Sequence, residues 1–325
     1  MKAILCREFG PPSNLIYEEV PRPVPGPGQV LVKVAACSIN FPDTLILRGR
    51  YQFKPEFPFS PGSNIAGQII EVGDKVNHLK PGDEIIAIMI AGGLAEYAVV
   101  DVHMCVPKPA SMDMETGAAF LYTYSTSFYA LQSRAQLKAG ETVLILGASG
   151  GVGMSSIEIA KALGATVIAA ASSDKKLGLC SNAGADHLIN YEKEDLKERA
   201  KALTEGRGVD VVLDPVGGKY AQLALRAISW EGRYLVVGFA AGEIPKIPLN
   251  LVLLKSCQLV GVFLGAFSMH FPKERNILMK ELLDLYEQGK FKPYIHKTFS
   301  LEEAPQALQM MENREAAGKL VIKVS

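Results

Sequence analysis

Apolar residues in the middle of the chain occur in short runs that are separated by glycines and by helical patterns. The runs predict five buried strands: Thr142–Leu146, Thr166–Ala171, Val209–Leu213, Tyr234–Gly238 and Gln258–Phe263. Small and apolar residues from Ser155 to Leu163 predict a helix between the first two strands, and Gly164 ends it. Strands that alternate with helices are typical of a parallel sheet with both faces covered. This part of the chain is therefore predicted to be a doubly wound α/β unit.

The stretches on either side of this unit have a different pattern. Up to about residue 122, glycine and proline separate short predicted strands at Gln29–Ala36, Gln68–Val72 and Glu84–Ile90. Towards the C-terminus the pattern predicts a helix near Glu274–Gln288, an extended segment Lys297–Phe299, a short helix Leu301–Glu312 and a strand Lys319–Val324. We expect this last strand to return to the first stretch. The predicted domains are therefore 1–124 together with 266–325, and 125–265 as an insertion between them.

A cluster of glycines follows the first buried strand of the α/β unit. Residues 148–153 read Ala-Ser-Gly-Gly-Val-Gly, which matches a dinucleotide-binding turn except that alanine takes the first glycine position. We expect Gly150, Gly151 and Val152 to bring their backbone close to a pyrophosphate, which the N-terminus of the next helix also attracts. The alternative is an ordinary glycine-rich turn between a strand and a helix.

The end of the second predicted strand indicates which dinucleotide is bound. Chains that bind NAD carry an acidic residue there, which binds the ribose 2′-hydroxyl, whereas here the strand ends at Ala171 without one. Ser172, Ser173 and Lys176 instead offer donors and a positive charge to a 2′-phosphate, which favours NADPH. Asp174 is expected to cap the following helix and to point away. The alternative for Lys176 is a solvated helix lysine.

The composition restricts the class of protein further. The 325 residues include 34 Lys and Arg against 34 Asp and Glu, so no nucleic-acid partner is expected. No apolar run is long enough to span a bilayer and the N-terminal residues lack the layout of a signal peptide, so no membrane association is expected. The five cysteines are dispersed, which favours a reducing, cytoplasmic location.

Eight short motifs are distributed along the whole chain: Ser38–Asp43, Pro58–Gly67, Val72–Val76, Pro81–Asp83, Gly150–Gly153, Gly184–Asp186, Asp214–Gly218 and Trp230–Arg233. Together they resemble the medium-chain dehydrogenase/reductase superfamily, in its zinc-free quinone oxidoreductase branch. The resemblance implies an α/β protein, with a GroES-like β-rich catalytic domain and a Rossmann domain built on a doubly wound parallel sheet. It also implies an active site in the cleft between these two domains.

The same resemblance leads us to expect no zinc. The catalytic ligands of zinc-dependent relatives are a cysteine, a His-Glu pair and a further cysteine. The matching positions here are Asn40, Ser63 with Asn64, and a region near Phe120 without cysteine. Asparagine and serine are poor zinc ligands, and residues 87–92, which match the structural-zinc lobe, contain no cysteine. Asn64 also departs from the carboxylate that the zinc-free branch usually has at this position.

The implied reaction is hydride transfer from NADPH to a quinone or to an electron-poor conjugated C=C bond. Hydride addition to either acceptor gives a delocalised anion that water can protonate, so the main task of the protein is positioning. Asn40 is expected to hold the nicotinamide ribose or the acceptor oxygen, because its amide both donates and accepts. Tyr51 resembles the family's aromatic residue at the substrate mouth. The alternative for Tyr51 is a loop aromatic that packs on Phe53 or Phe57.

Further cofactor contacts follow from the resemblance. Thr126 resembles the residue under the nicotinamide, or else it is a helix N-cap. Tyr191 resembles the residue beside the adenosine 2′-phosphate. Arg314 resembles a second phosphate partner, for which its bidentate fork is suited, or else it is a solvated helix arginine. Phe239 and Phe263 complete the expected set of cofactor contacts.

Two other functions remain open at this point. The chain could reduce enoyl-thioesters or 2-alkenals with NADPH, or it could bind NADPH without catalysis.

The predicted strand Gln258–Phe263 is apolar, and by family resemblance it lies at a sheet edge. Because an exposed apolar edge strand is an association hazard, we expect a homodimer that pairs this strand with its twofold mate. The alternative is a monomer in which a loop folds over the edge.

Overall fold

The computed structural model of the protein describes all 325 residues. Its strands are β1 Lys2–Leu5, β2 Ile16–Glu19, β3 Gln29–Ile39, β4 Asn64–Val72, β5 Glu84–Ile88, β6 Tyr97–Asp101, β7 Cys105–Pro107, β8 Thr142–Leu146, β9 Thr166–Ala171, β10 His187–Asn190, β11 Val209–Asp214, β12 Ile228–Val236, β13 Gln258–Gly261, β14 Ile295–Ser300 and β15 Lys319–Lys323. Its α-helices are α1 Phe41–Leu47, α2 Met114–Phe128, α3 Gly151–Ala162, α4 Asp174–Asn182, α5 Leu196–Ala202, α6 Gly218–Ala227, α7 Leu249–Lys255, α8 Leu264–His270, α9 Pro272–Glu287 and α10 Ala304–Glu312.

The chain forms two compact units. The first contains Met1–Tyr122 and Pro293–Ser325, and the second contains Thr123–Lys292. Helix α9 therefore belongs to the second unit by its contacts, so this unit ends later than residue 265, the predicted end of the inserted domain. No helix in the chain is both long enough and apolar enough to cross a membrane.

The first unit is built on a mostly antiparallel seven-stranded sheet. The strand order is β14-β15-β3-β4-β5-β7, and β6 pairs with β3 beside this path. Strand β15 lies antiparallel to β3, with Val321 opposite Ser38, so the terminal strand returns to the first stretch as predicted. At Gly67 of β4 the backbones approach so closely that a Cβ would lie 2.2 Å from the carbonyl oxygen of Lys33. Only glycine fits at this crossing of β3 and β4.

The second unit is built on a six-stranded sheet in which every pair is parallel. Its order is β10-β9-β8-β11-β12-β13, which in chain order is the doubly wound arrangement of dinucleotide-binding folds. All five residues of β8 are buried, as expected for a central strand that helices cover on both faces. The predicted doubly wound parallel sheet is confirmed.

Several predicted bounds change in the structure. Helix α3 begins at Gly151 rather than at Ser155, because the glycine turn itself supplies its first residues. Strand β12 begins at Ile228 rather than at Tyr234, since the polar stretch before Tyr234 is part of the strand and pairs with β11 through a bulge. Strand β13 ends at Gly261, although the N–H of Val262 still donates to Val236.

Carboxylates from two of the sequence motifs stabilise the second unit. Asp186 accepts hydrogen bonds from the N–H of Val167 at 2.7 Å and from Lys161 Nζ at 2.8 Å, which fixes the start of β9 next to the end of α3. Asp214 is buried at the end of β11 and accepts a hydrogen bond from the hydroxyl of Tyr234 at 2.5 Å. Both motif residues therefore have a structural role within the sheet.

Candidate active site

The turn between β8 and α3 has the backbone of a phosphate-binding loop. Gly147 adopts a left-handed φ of 57°, so the glycine that the tight turn requires stands one position before Ala148. Gly150 is the N-cap of α3, and the first N–H groups of a helix have no acceptor within the helix. A Cβ on Gly153 would lie 2.5 Å from the backbone of Ala148. The helix therefore packs directly on the turn and aims its N-terminus beyond the end of β8.

Three buried serine hydroxyls connect helix α2 to the first two turns of α3. Ser127 Oγ donates to the carbonyl of Val152 at 3.1 Å and lies 2.7 Å from Ser155 Oγ and 2.9 Å from Ser156 Oγ. Thr126 precedes Ser127 near the C-terminal end of α2, so its alternative role as a helix N-cap is wrong. This hydroxyl cluster could not be predicted, because serines in a helical pattern do not reveal partners in another helix.

The residues expected around a 2′-phosphate lie together at the carboxyl end of β9 and β10. Ser172 directly follows β9, and Ser173 caps α4 by accepting a hydrogen bond from the N–H of Lys176. The N–H of Tyr191 donates to the carbonyl of Ala171 at 3.2 Å, so the tyrosine leaves β10 beside the end of β9. No acidic side chain occupies the end of β9 itself.

Asp174 has a different role from the one expected. The N-cap of α4 is Ser173, and Asp174 accepts hydrogen bonds from Lys193 Nζ and from Asn190 Nδ2, both at 2.6 Å. The hydrogen bond from Lys193 holds the pKa of the Asp174 carboxyl below its usual range, and the hydrogen bond from Asn190 contributes less in the same direction. The carboxylate is therefore paired with a cation, which reduces its repulsion of a nearby phosphate.

Aromatic side chains line the same edge of the parallel sheet. The ring of Tyr191 packs on that of Tyr220, with centroids 4.3 Å apart. Phe239 follows β12 and covers Gly217, where a Cβ would lie 2.9 Å from the phenyl ring. Phe263 follows β13 and is 46% exposed. The three predicted aromatic contacts thus come after three different strands, and all stand at the carboxyl edge.

In the first unit, Asn40 lies at the junction of β3 and α1 and is buried. Its Oδ1 accepts a hydrogen bond from Lys319 Nζ at 2.5 Å, and its N–H donates to Asp43 Oδ2 at 2.7 Å. Burial raises the pKa of Asp43 to about 6. The hydrogen bonds from the N–H of Asn40 and from the Ser63 hydroxyl, and the charge of Lys319, act in the opposite direction and lower this pKa. Burial also lowers the pKa of Lys319 to about 8. Nothing in the sequence around Lys319 predicts its place in this site.

The amide at Asn64 makes a contact that a carboxylate could not make. Asn64 Nδ2 donates to the carbonyl of Ala118 in helix α2 and, at 3.4 Å, to Ser38 Oγ. The side chain is fully buried, and its Oδ1 has no hydrogen-bond partner. Asn64 therefore links β4 to α2 by donation, which gives the departure from the expected carboxylate a structural reason.

Tyr51 makes the packing contact given as its alternative role, and its role at the substrate mouth stays a prediction. Its ring lies 6.1 Å from that of Phe53, whereas Phe57 packs on Phe9 and Phe59 instead. Its hydroxyl is hydrogen-bonded to Tyr122, and burial raises the pKa of both tyrosines. Both phenols therefore stay protonated at neutral pH, and because Tyr122 donates to Tyr51 in their hydrogen bond, Tyr51 can use its own proton as a donor.

The remaining predicted site residue, Arg314, follows α10 in the first unit. It is exposed and has a left-handed φ of 60°, which is uncommon for a residue with a side chain. Its role at a phosphate stays a prediction. No group of three or more His, Cys, Asp or Glu side chains is arranged to hold a metal ion.

Comparisons with known proteins identify the class to which this fold and site belong. A family model described as an alcohol dehydrogenase GroES-like domain matches residues 26–110, and one described as a zinc-binding dehydrogenase matches residues 151–282. The quinone oxidoreductase-like protein 2 of Bos taurus is 38% identical over 99% of this chain and 92% of its own. The chain therefore belongs to the medium-chain dehydrogenase/reductase superfamily, in its quinone oxidoreductase branch.

Two solved structures resemble the whole chain. The Escherichia coli quinone oxidoreductase complexed with NADPH superposes with a TM-score of 0.92 and is 28% identical, covering 99% of this chain and 100% of its own. The CurK enoyl reductase has a TM-score of 0.90 at 28% identity and covers 100% of this chain and 99% of its own. The predicted pairing of a GroES-like domain with a Rossmann domain is confirmed.

Replacing Gly153 by alanine should destabilise the phosphate turn. The added Cβ would meet backbone atoms of Ala148, which cannot move aside as a flexible side chain would. We expect a loss of about 1–3 kcal/mol in the free energy of unfolding, measured by denaturant titration. Gly178→Ala is the control, because its Cβ enters open space within α4 and should stabilise the protein by about 0.5–1 kcal/mol. Equal effects of the two substitutions would contradict the packing argument.

Proposed function

We propose that this protein is an NADPH-dependent, zinc-independent oxidoreductase that transfers a hydride to a quinone or to an electron-poor conjugated C=C bond. One observation carries the proposal. The phosphate turn lies at the same edge of the sheet as the end of β9, which has no acidic residue and is surrounded by Ser172, Lys176 and Tyr191. The NADPH complex of the E. coli quinone oxidoreductase supports the choice of cofactor.

The residues present fit a bound dinucleotide phosphate. Gly150, Gly151 and Val152 bind the pyrophosphate through backbone N–H groups, with the positive end of α3 behind them. Ser172, Lys176 and Tyr191 bind the 2′-phosphate, and Arg314 adds a bidentate contact. Thr126, Phe239 and Phe263 complete the proposed contacts to the nicotinamide half.

The nicotinamide of bound NADPH supplies the hydride, and the chain supplies orientation and charge stabilisation. Asn40 holds the nicotinamide ribose or the acceptor oxygen through its amide. Tyr51 donates a hydrogen bond to the oxygen on which negative charge develops, and Tyr122 in turn is hydrogen-bonded to Tyr51. Because the anion of a hydroquinone or an enol is delocalised, water from solvent completes the protonation.

The proposed reaction does not use a metal as Lewis acid. Asn40, Ser63 and Asn64 stand where zinc-dependent relatives have ligands, and their side-chain atoms have other tasks here. Asn40 Oδ1 accepts from an ammonium group, and Asn64 Nδ2 donates to a backbone carbonyl. An amide and a hydroxyl engaged in this way make a weak donor set for Zn²⁺.

The location and the partners follow from the surface and the cysteines. All five cysteines are free, and four of them are buried. A reducing compartment suits such a set, so we propose the cytoplasm. Lys and Arg balance Asp and Glu at 34 each, which argues against a nucleic-acid partner. The proposed partners are therefore a small quinone or enone and a second copy of the chain.

An apolar surface around β13 supports the proposed homodimer. Strand β13 is the edge of the parallel sheet, and Leu259 on it is 40% exposed. Other large exposed apolar side chains lie on the neighbouring elements: Leu249, Leu253, Leu254, Met269 and Phe271. Val260 faces the core of its own protomer, so Leu259 is the better position for a test.

The choice of cofactor is tested by Lys176→Ala. Loss of one charge-assisted phosphate contact should cost about 1.5–3 kcal/mol, which is about 10- to 150-fold in the Kd for NADPH. The Kd for NADH should stay nearly unchanged, since NADH has no 2′-phosphate. Isothermal titration with both cofactors measures this, and the exposed neighbour variant Lys175→Ala is the control. A similar loss for both cofactors would contradict a 2′-phosphate contact.

The class of substrate is tested by NADPH oxidation with four acceptors side by side. We expect turnover with 9,10-phenanthrenequinone and 1,4-benzoquinone, because no strong general acid is needed, and we expect it to survive a metal chelator. Preferential turnover of crotonyl-CoA or of a 2-alkenal would instead identify an enoyl reductase, the activity for which the structurally similar CurK protein is named. No turnover with any acceptor, together with tight NADPH binding, would identify a non-catalytic binder.

The assembly is tested by Leu259→Lys. A charge on the paired edge should dissociate the dimer to a 35.1 kDa monomer in sedimentation equilibrium at micromolar concentration. Ile16→Lys is the control, because Ile16 has similar exposure at 44% but lies in the other unit. A monomeric unmutated protein, or a Leu259→Lys variant that remains dimeric, would overturn the proposed interface.

A further inference from the structure

A lysine is buried beside the proposed catalytic asparagine. Lys319 is the first residue of β15 and is 4% exposed. Its Nζ donates to Asn40 Oδ1 at 2.5 Å and to the carbonyl of Ile39 at 3.1 Å. Both acceptors belong to the junction between β3 and α1. The terminal strand thus places one ammonium group at the turn from which Asn40 is presented.

Burial of this ammonium group is costly, and few charges surround it. Asp43 of α1 and Cys37 of β3 are the titratable groups that influence it, and both favour its charged form. Burial raises the pKa of the Cys37 thiol well above its usual range, so Cys37 stays neutral. The residues after Lys319 on β15 are Leu320, Val321 and Ile322, all fully buried and apolar. The sheet itself therefore has no need of a charge at this position.

An ammonium group donates hydrogen bonds and accepts none, which fixes how Asn40 must be turned. The oxygen of the amide faces Lys319, and the NH₂ group faces the opposite side. There Nδ2 has only long contacts, at 3.4 Å to Ser63 Oγ and to the carbonyl of Ser38. Both N–H donors of the amide are thus held only by long hydrogen bonds, which a bound ligand can replace at little cost.

We propose that Lys319 is a positioning residue, which locks the Asn40 amide with its NH₂ group presented to the acceptor oxygen or the nicotinamide ribose. The inference rests on the proposed function of Asn40. A neutral amine at Lys319 can accept as well as donate, so the lock is lost when Lys319 is deprotonated. The lowered pKa of Lys319, about 8, puts this loss in the mildly alkaline range. Asp43, with its pKa raised to about 6, titrates in a separate, lower range.

A double-mutant cycle on kcat/KM for 9,10-phenanthrenequinone tests the coupling. Lys319→Met should lower kcat/KM about 10- to 100-fold in the unmutated background, which is the size of effect that a misplaced catalytic group has. In the Asn40→Ala background the same substitution should have almost no further effect. Independent effects that multiply in the double variant would overturn the proposal, because a purely structural role does not pass through Asn40.

A second measurement does not depend on catalysis. In the cofactor-free protein, the side-chain amide signals of Asn40 in a ¹H–¹⁵N NMR spectrum should shift with pH, with a midpoint near the pKa of about 8, and Lys319→Arg should abolish the shift. Asn40→Ala assigns the signals. Signals that do not change between pH 7 and 10 would refute the lock, even in a protein whose proposed reductase activity is absent. If no acceptor is turned over but the shift is present, the proposed reductase function is wrong, whereas the positioning of Asn40 by Lys319 is supported.

Discussion

The parallel direction of all six strands in the second unit is the constraint on which the cofactor site depends. Parallel strands end at one edge of the sheet, so every loop that follows a strand is brought to the same place. The residues proposed to bind the cofactor in this unit come after strands β8, β9, β10, β12 and β13: Gly150, Ser172, Lys176, Tyr191, Phe239 and Phe263. Residues far apart in sequence therefore share one edge without any special contact between them.

The first unit contains a group of polar side chains that are buried away from water. Asn40, Asp43, Asn64 and Lys319 are all buried around the end of β3. Each of these residues makes at least one hydrogen bond to backbone or to another member of the set, although Asp43 Oδ1 and Asn64 Oδ1 have no partner. The hydrogen bonds that are made favour a single arrangement of the group. A rigid polar group of this kind suits the proposed metal-independent reaction.

The doubly wound sheet, the phosphate turn and the returning terminal strand could be predicted, because local patterns determine them. Apolar runs identified β8 to its exact bounds, and the missing acid at Ala171 is visible in the sequence itself. What could not be predicted are long-range polar partners. Lys319 reads as the start of a strand, and its partner Asn40 lies 279 residues earlier. The sequence predicts a helix cap at Asp174, because no pattern near Asp174 indicates that Lys193 is its partner. Polar stretches inside strands, as in β12, also look like turns.

The central claim is that the carboxyl end of β9 and β10 binds a 2′-phosphate. Calorimetric titration of the unmutated protein with 2′,5′-ADP and with 5′-AMP tests it most directly, since the two ligands differ only in that phosphate. With two or more charge-assisted contacts, we expect 2′,5′-ADP to bind at least about 10-fold more tightly, and the difference to shrink as salt is raised. Equal affinity for the two ligands would contradict the account.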